Sequence, residues 1–202
     1  MKNRVITISR EFGSGGRTIG KKVAEKLGIP CYDAEIIQEM AKETGFAPDY
    51  VKEAGEYAPG SFLSAAFSNR MFGPTNEDIL WSHQYKVITA LAEKGPCVIV
   101  GRCADVILKD YHPLNLFVYA DAESKIQRCI DRAPEGEHLS RNDIARRMKQ
   151  VDKNRAQYRQ MFADTKWGVK ETYHLCVNTS GHQIKDLIPG LASFVRCWYG
   201  EK

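Results

Sequence analysis

Along this chain, short runs of β-branched and other apolar residues alternate with longer segments whose apolar positions recur every three or four residues. The runs at 4–9, 97–100, 114–119 and 173–178, with a weaker one at 29–32, predict strands. Helices are predicted at about 16–27, 34–44, 76–94, 122–132, 141–163 and 183–197. Such alternation calls for a parallel sheet of about five strands with helices on both faces, an α/β fold of three layers. One stretch breaks the rhythm. Residues 55–76 mix Gly, Pro and Ser with Phe62, Phe67 and Phe72, and read either as an insertion covering a substrate or as a surface segment pinned by its aromatics.

Length and composition narrow the class. The 202 residues make one domain, 1–202, long enough to bury a substantial core. Apolar content of 43% and charged content of 27% are those of a soluble globular protein. The net charge of +4 suits an anionic small molecule, and the scattered basic residues call for neither nucleic acid nor a membrane surface. Oligomeric state is not readable. Cys31, Cys97, Cys103, Cys129, Cys176 and Cys197 form no CxxC and no metal-like cluster, as expected of reduced thiols in a cytoplasmic protein. The chain enters a strand with no signal peptide, and no apolar run reaches membrane-spanning length.

His83, His112, His138, His174 and His182 lack ligand spacing and GxGxxG is absent, which sets aside metal-dependent hydrolysis and dinucleotide-dependent oxidoreduction. His83 reads as an ordinary helix residue, with Trp81, Tyr85, Ile88 and Leu91 as core packing around it.

The chemistry gathers at the predicted strand ends, where open parallel sheets bind ligands. The first strand runs into "SREFGSGGRTIG", a glycine turn before a helix, which is the context of a phosphate-binding loop. The pattern GxxxxGK[ST] nevertheless fails. With Gly15 as second glycine, Arg10 replaces the first and Gly16 the lysine; with Gly16, Glu11 replaces the first and Arg17 takes the lysine's place. Asp33, Gly101–Arg102, Asp121 and Asn178–Thr179–Ser180 end the other strands. Asp121 reads as a helix cap and Asn178–Thr179–Ser180 as turn chemistry, whereas Arg102 after an apolar strand needs an anion or a path to water.

The long helix from 141 has Ser140 and Asp143 as a capping pair, and Ile144, Met148, Val151, Tyr158 and Phe162 as an inward stripe. Arg155 falls on that stripe, with Asp152 one turn earlier and within i,i+3 reach. An arginine there makes a buried ion pair or reaches a cleft that holds an anion. Arg128 and Arg132 share a helix face before the polar "APEGEH", either closing over phosphates as a lid does or forming a solvated basic face.

In order and spacing, "ITISREFGSGGRTIG", "YDAEII", "CVIVGRCAD", "DKNR" and "YHLCVNTS" resemble the cytidylate kinase-like proteins, a branch of the P-loop nucleoside monophosphate kinases. The resemblance covers nearly the whole chain. It implies a P-loop kinase fold with an acceptor-side helical insertion at about 34–94 and a lid at about 128–160. It also implies phosphoryl transfer from ATP, with Mg²⁺ bridging the donor phosphates, to a nucleoside monophosphate such as CMP or dCMP. By position, Gly13, Ser14, Gly15, Gly16, Arg17 and Thr18 cradle the donor phosphates, while Asp33, Arg102 and Asp105 lie on the acceptor side. Arg155, oriented by Asp152, reaches the transferring phosphoryl group, and Arg128 and Arg132 belong to the lid.

The same resemblance selects the register with Gly16 at the lysine position and Arg17 at the Ser/Thr position. Thr18, one residue late, is then the nearest hydroxyl for Mg²⁺. Three functions stay open. Arg10 or Arg17 replaces the lysine in an active nucleotide kinase, the loop serves a binding or regulatory module without transfer, or the acceptor is not a nucleotide.

Overall fold

The computed structural model describes residues 4–49, 51, 76–134 and 140–201. Phe62, Phe67, Phe72 and the rest of 55–75 lie outside the described residues, as does most of the "APEGEH" stretch. The chain runs β1 (Val5–Arg10), α1 (Gly16–Leu27), β2 (Cys31–Tyr32), α2 (Ala34–Thr44), α3 (Asn76–Glu93), β3 (Cys97–Val100) and α4 (Ala104–Ile107). It continues β4 (Leu114–Tyr119), α5 (Ala122–Ile130), α6 (Arg141–Phe162), β5 (Leu175–Asn178) and α7 (Ile184–Trp198).

The five strands form one parallel sheet in the order β2-β3-β1-β4-β5, flanked by helices. β1 is central and buried throughout, so its two faces feed two cores. Ile6 and Ile8 pack with Ile19 and Val23 of α1 and Ile188 and Leu191 of α7. Val5 packs on the opposite face with Ile36, Met40, Ile88, Ile99 and Leu108. Alternate residues of one strand point to opposite faces, which is why a single apolar run supports both.

Strand order also positions the site. The chain fills one side of β1 with β2 and β3 before crossing to β4, so the carboxyl end of β1 lies at a topological switch point. Ser140 caps α6 as expected, its Oγ accepting from the Asp143 N–H at 3.1 Å and donating to the Asp143 carboxylate at 2.6 Å. Asp121 caps α5 by accepting from the Ser124 N–H at 2.6 Å.

Three readings need correction. The single turn α4 is too short to leave a periodic signal. β5 starts at Leu175, because the Tyr173 N–H donates to the Lys170 carbonyl at 3.1 Å and closes the preceding turn instead of joining the ladder. Tyr85 is 48% exposed and not core; Gln84 takes the buried place on α3. Its polarity hid it from a hydrophobic count, yet its Nε2 donates to the Arg102 carbonyl at 2.9 Å. His83 is indeed a helix residue, bridging to Glu43 of α2 at 3.1 Å.

Candidate active site

The glycine loop leaves the sheet after Arg10 and enters α1 at Gly16. Gly13 (φ 74°) and Gly15 (φ 86°) take left-handed backbone that other residues adopt at a cost, which lets the loop turn tightly into the helix. A loop of this shape ahead of a helix N-terminus is an anion cradle. Its frame is hydrogen-bonded in detail. Ser14 donates through N–H (3.3 Å) and Oγ (2.8 Å) to the Glu11 carbonyl. Arg128 of α5 donates to the Gly13 carbonyl at 2.8 Å and the Thr179 carbonyl at 3.1 Å, and Thr179 Oγ1 donates to the Ser14 carbonyl at 2.8 Å. Lys125 pairs with Glu11 at 2.7 Å.

Next to the loop lies a cleft at the ends of β1 and β3, lined by Ser9, Arg10, Gly101, Arg102, Cys103, Arg155, Tyr158, Arg159 and Trp167. Four arginines meet there, from β1, from the turn after β3 and from α6. Gly101, Arg102 and Cys103 are successive left-handed residues (φ 76°, 58° and 49°), and for the last two that conformation costs on the order of 1 kcal/mol or more each. Strain of this kind at a strand end is the mark of a site. The turn buries Arg102, whose Nη1 donates to the Val51 carbonyl at 3.1 Å, while Gln84 holds its own carbonyl.

Asp152 ties the loop to the cleft. One carboxylate oxygen accepts from the Phe12 N–H at 2.8 Å and from Arg155 Nη1 at 3.2 Å, and Arg155 Nη1 also donates to the Arg10 carbonyl at 3.1 Å. Burial pushes the Asp152 carboxyl above its ordinary 3.8, against the pull of the Phe12 N–H and Arg155. Burial also pushes the Cys103 thiol up to about 12, so it is protonated and no nucleophile at neutral pH. The site offers convergent positive charge and backbone N–H groups. That equipment positions and neutralises phosphates.

The sequence-derived candidates fall into two groups. Gly13, Ser14, Gly15, Gly16 and Thr18 of the loop come together with Arg10, Arg102, Arg155 and Asp152 at the loop and cleft. The others are committed elsewhere. Arg17 pairs with buried Asp33 at 2.5 Å, joining α1 to the start of α2. Asp105 makes a buried ion pair with Arg159 at 2.6 Å, both side chains only 3% exposed. Arg128 braces the loop and Arg132 is exposed beyond α5.

Sequence reasoning missed Arg159, Thr179 as a loop anchor, and the Lys125–Glu11 pair. Only Arg159 carried a legible signal, lying one turn after Arg155 on the inward stripe.

Residues capable of holding Mg²⁺ are few. Thr18 sits half-buried in the first turn of α1, while Asp33, Glu11 and Asp152 are engaged by Arg17, Lys125 and Arg155. Among the described residues no three His, Cys, Asp or Glu side chains cluster around a possible ion. Such a set would suit a metal carried in on nucleotide phosphates, toward which the Thr18 hydroxyl could contribute one oxygen.

A five-stranded parallel sheet flanked by helices, with a glycine loop between β1 and α1, defines the fold of the P-loop kinases. Residues 5–181 match the cytidylate kinase-like family, and the chain belongs to it. A cytidylate kinase of Archaeoglobus fulgidus is 30% identical over 137 residues, covering 67% of this chain and 64% of that protein, just under two thirds of its length. An uncharacterized protein from Eubacterium ventriosum has a similar structure, with TM-score 0.69 and 28% identity over 95% of this chain and 98% of that one. A shikimate kinase from Bacteroides thetaiotaomicron shares the fold, with TM-score 0.55 and 14% identity over 96% and 98% of the two chains. Among the described residues no helix is long and apolar enough to cross a membrane.

Proposed function

We propose that this chain transfers the γ-phosphoryl group of ATP to a small phosphorylated acceptor, a nucleoside monophosphate such as CMP or dCMP. One observation carries the reading: Asp152 joins the loop, through the Phe12 N–H, to Arg155 in the arginine cleft. In this reading residues 1–202 act as one kinase-like domain, with its acceptor-side region at about 34–94 and its lid at about 128–160. The loop from Gly13 to Thr18 receives the donor phosphates, and Mg²⁺ arriving with them supplies charge neutralisation. Arg102 holds the acceptor phosphate. An acceptor oxygen forms a bond to the γ-phosphorus as the bond to the β,γ-bridging oxygen breaks, leaving ADP. Arg155, oriented by Asp152, stabilises the charge that spreads over the transferring group. The acceptor is already anionic, so no general base is required. Arg132 is the lid cation, and Arg128 acts through the loop it braces.

The test is incubation with ATP and Mg²⁺ against CMP, dCMP, UMP, AMP, GMP and no acceptor, with products resolved by HPLC. Diphosphate formation that depends on CMP or dCMP is expected. Silence across the panel with ATP still bound points to a non-nucleotide acceptor or a binding module. Silence without ATP binding overturns the reading of the loop.

A further inference from the structure

In the pattern GxxxxGK[ST], a glycine stands first and the phosphate-binding lysine seventh. The seven residues Arg10 to Gly16 carry the cation first and glycine seventh. In sequence these look like two separate losses. The structure makes them one event. A Cβ built at Gly16 would lie 2.5 Å from Arg10 Cβ and 3.1 Å from Arg10 Cγ, closer than such atoms come. Positions 10 and 16 therefore compete for one volume, and only one of them can carry a long side chain.

A second glycine records where the Arg10 side chain goes. Any Cβ at Gly101, the residue that follows β3, would overlap the Arg10 guanidinium. The guanidinium then lines the cleft together with Arg102 and Arg155.

We infer that the loop has exchanged its cation between positions: Arg10, projecting from the end of β1, does the phosphate-binding work of a lysine at position 16, and Gly16 and Gly101 are small to admit it. This rests on the function proposed above and names the residue through which the loop meets the donor polyphosphate. A guanidinium offers paired N–H donors to phosphate oxygens where an ammonium offers a point charge, so the exchange keeps the charge and adds a fixed direction.

The experiment compares wild type with Arg10→Gly, Arg10→Lys and the double variant Arg10→Gly/Gly16→Lys. Binding of inorganic tripolyphosphate is read by calorimetry, folding by circular dichroism and melting, and transfer by the HPLC panel. Reducing Arg10 to glycine removes the two atoms nearest a Cβ at 16, and the third, Val118 Cβ at 3.3 Å, is a contact that yields with a small shift. Arg10→Gly is expected to weaken tripolyphosphate about 10- to 100-fold. The double variant is expected to recover to within about threefold of wild type in binding and to regain transfer. Arg10→Lys, which adds no bulk, is expected to bind between the two. Wild-type affinity in Arg10→Gly, or a folded double variant as weak as Arg10→Gly, overturns the exchange and leaves the kinase reading standing. Wild type that binds neither tripolyphosphate nor ATP overturns both.

Discussion

Asp152 shows how a single side chain carries opposing demands. Its carboxylate must be charged to orient Arg155, yet it is largely buried, and burial raises its pKa from 3.8. A carboxyl raised in the folded state contributes stability while protonated, and that contribution is lost as pH rises through the folded value. The stability of Asp152→Asn relative to wild type should therefore move in the variant's favour from about pH 3.8 upward, levelling off above the folded value. Urea denaturation from about pH 3 to pH 7 checks this, and a difference that stays flat would remove burial as the cause. Arg155 is the functional counterpart. Arg155→Ala should cut turnover by roughly 10³-fold or more while ATP affinity changes only severalfold, because its proposed contact belongs to the transition state. Lost ATP binding with turnover per bound complex intact would contradict that role.

At the scale of elements, α6 is the beam that carries the arginines, and its two ends are held differently. Ser140 holds the N-terminus, so Ser140→Ala should cost about 1 kcal/mol and lower the melting temperature by roughly 2–4 °C. Toward the other end, Arg159 reaches Asp105 of α4 at 2.6 Å, the Thr165 carbonyl at 3.1 Å and the Thr165 hydroxyl at 2.7 Å. Asp105→Ala strands that buried guanidinium and should cost about 3–5 kcal/mol in urea denaturation. Replacing both partners, as Asp105→Leu with Arg159→Met, should cost clearly less, since no unpaired buried charge remains. The stripe of α6, its cap and the Asp152–Arg155 pair were all legible in the sequence, because each depends on spacings of three or four within one helix. The partner of Arg159 was not, since Asp105 of α4 lies 54 residues away and meets it only once the chain has folded.

For the whole molecule, the cleft encloses only about 30 Å³, room for a water or two. If the acceptor binds here as proposed, α6 and the segment around Trp167 should part from the strand ends. Hydrogen exchange at 101–103 and 163–169 should change when ATP and CMP are added together. A cleft that never opens would leave it unaltered. ATP at a hundredfold excess over its Kd should stabilise the fold by about 2.7 kcal/mol and raise the melting temperature by roughly 5–10 °C.

Local chemistry by itself determined the five strands, the helices between them other than the single turn α4, the glycine turn between β1 and α1, and Arg102, Asp152 and Arg155 as the residues to watch. These follow from periodicity and from the cost of placing charge on an apolar face, both written within a few residues. Tertiary structure alone decided that Arg17 and Asp105 are spent on ion pairs with Asp33 and Arg159, and that Arg128 braces the loop. It also decided that Arg10 and Gly16 share one volume. Those are facts about which distant atoms arrive at the same place, and only the packing of strands and helices against one another brings them there.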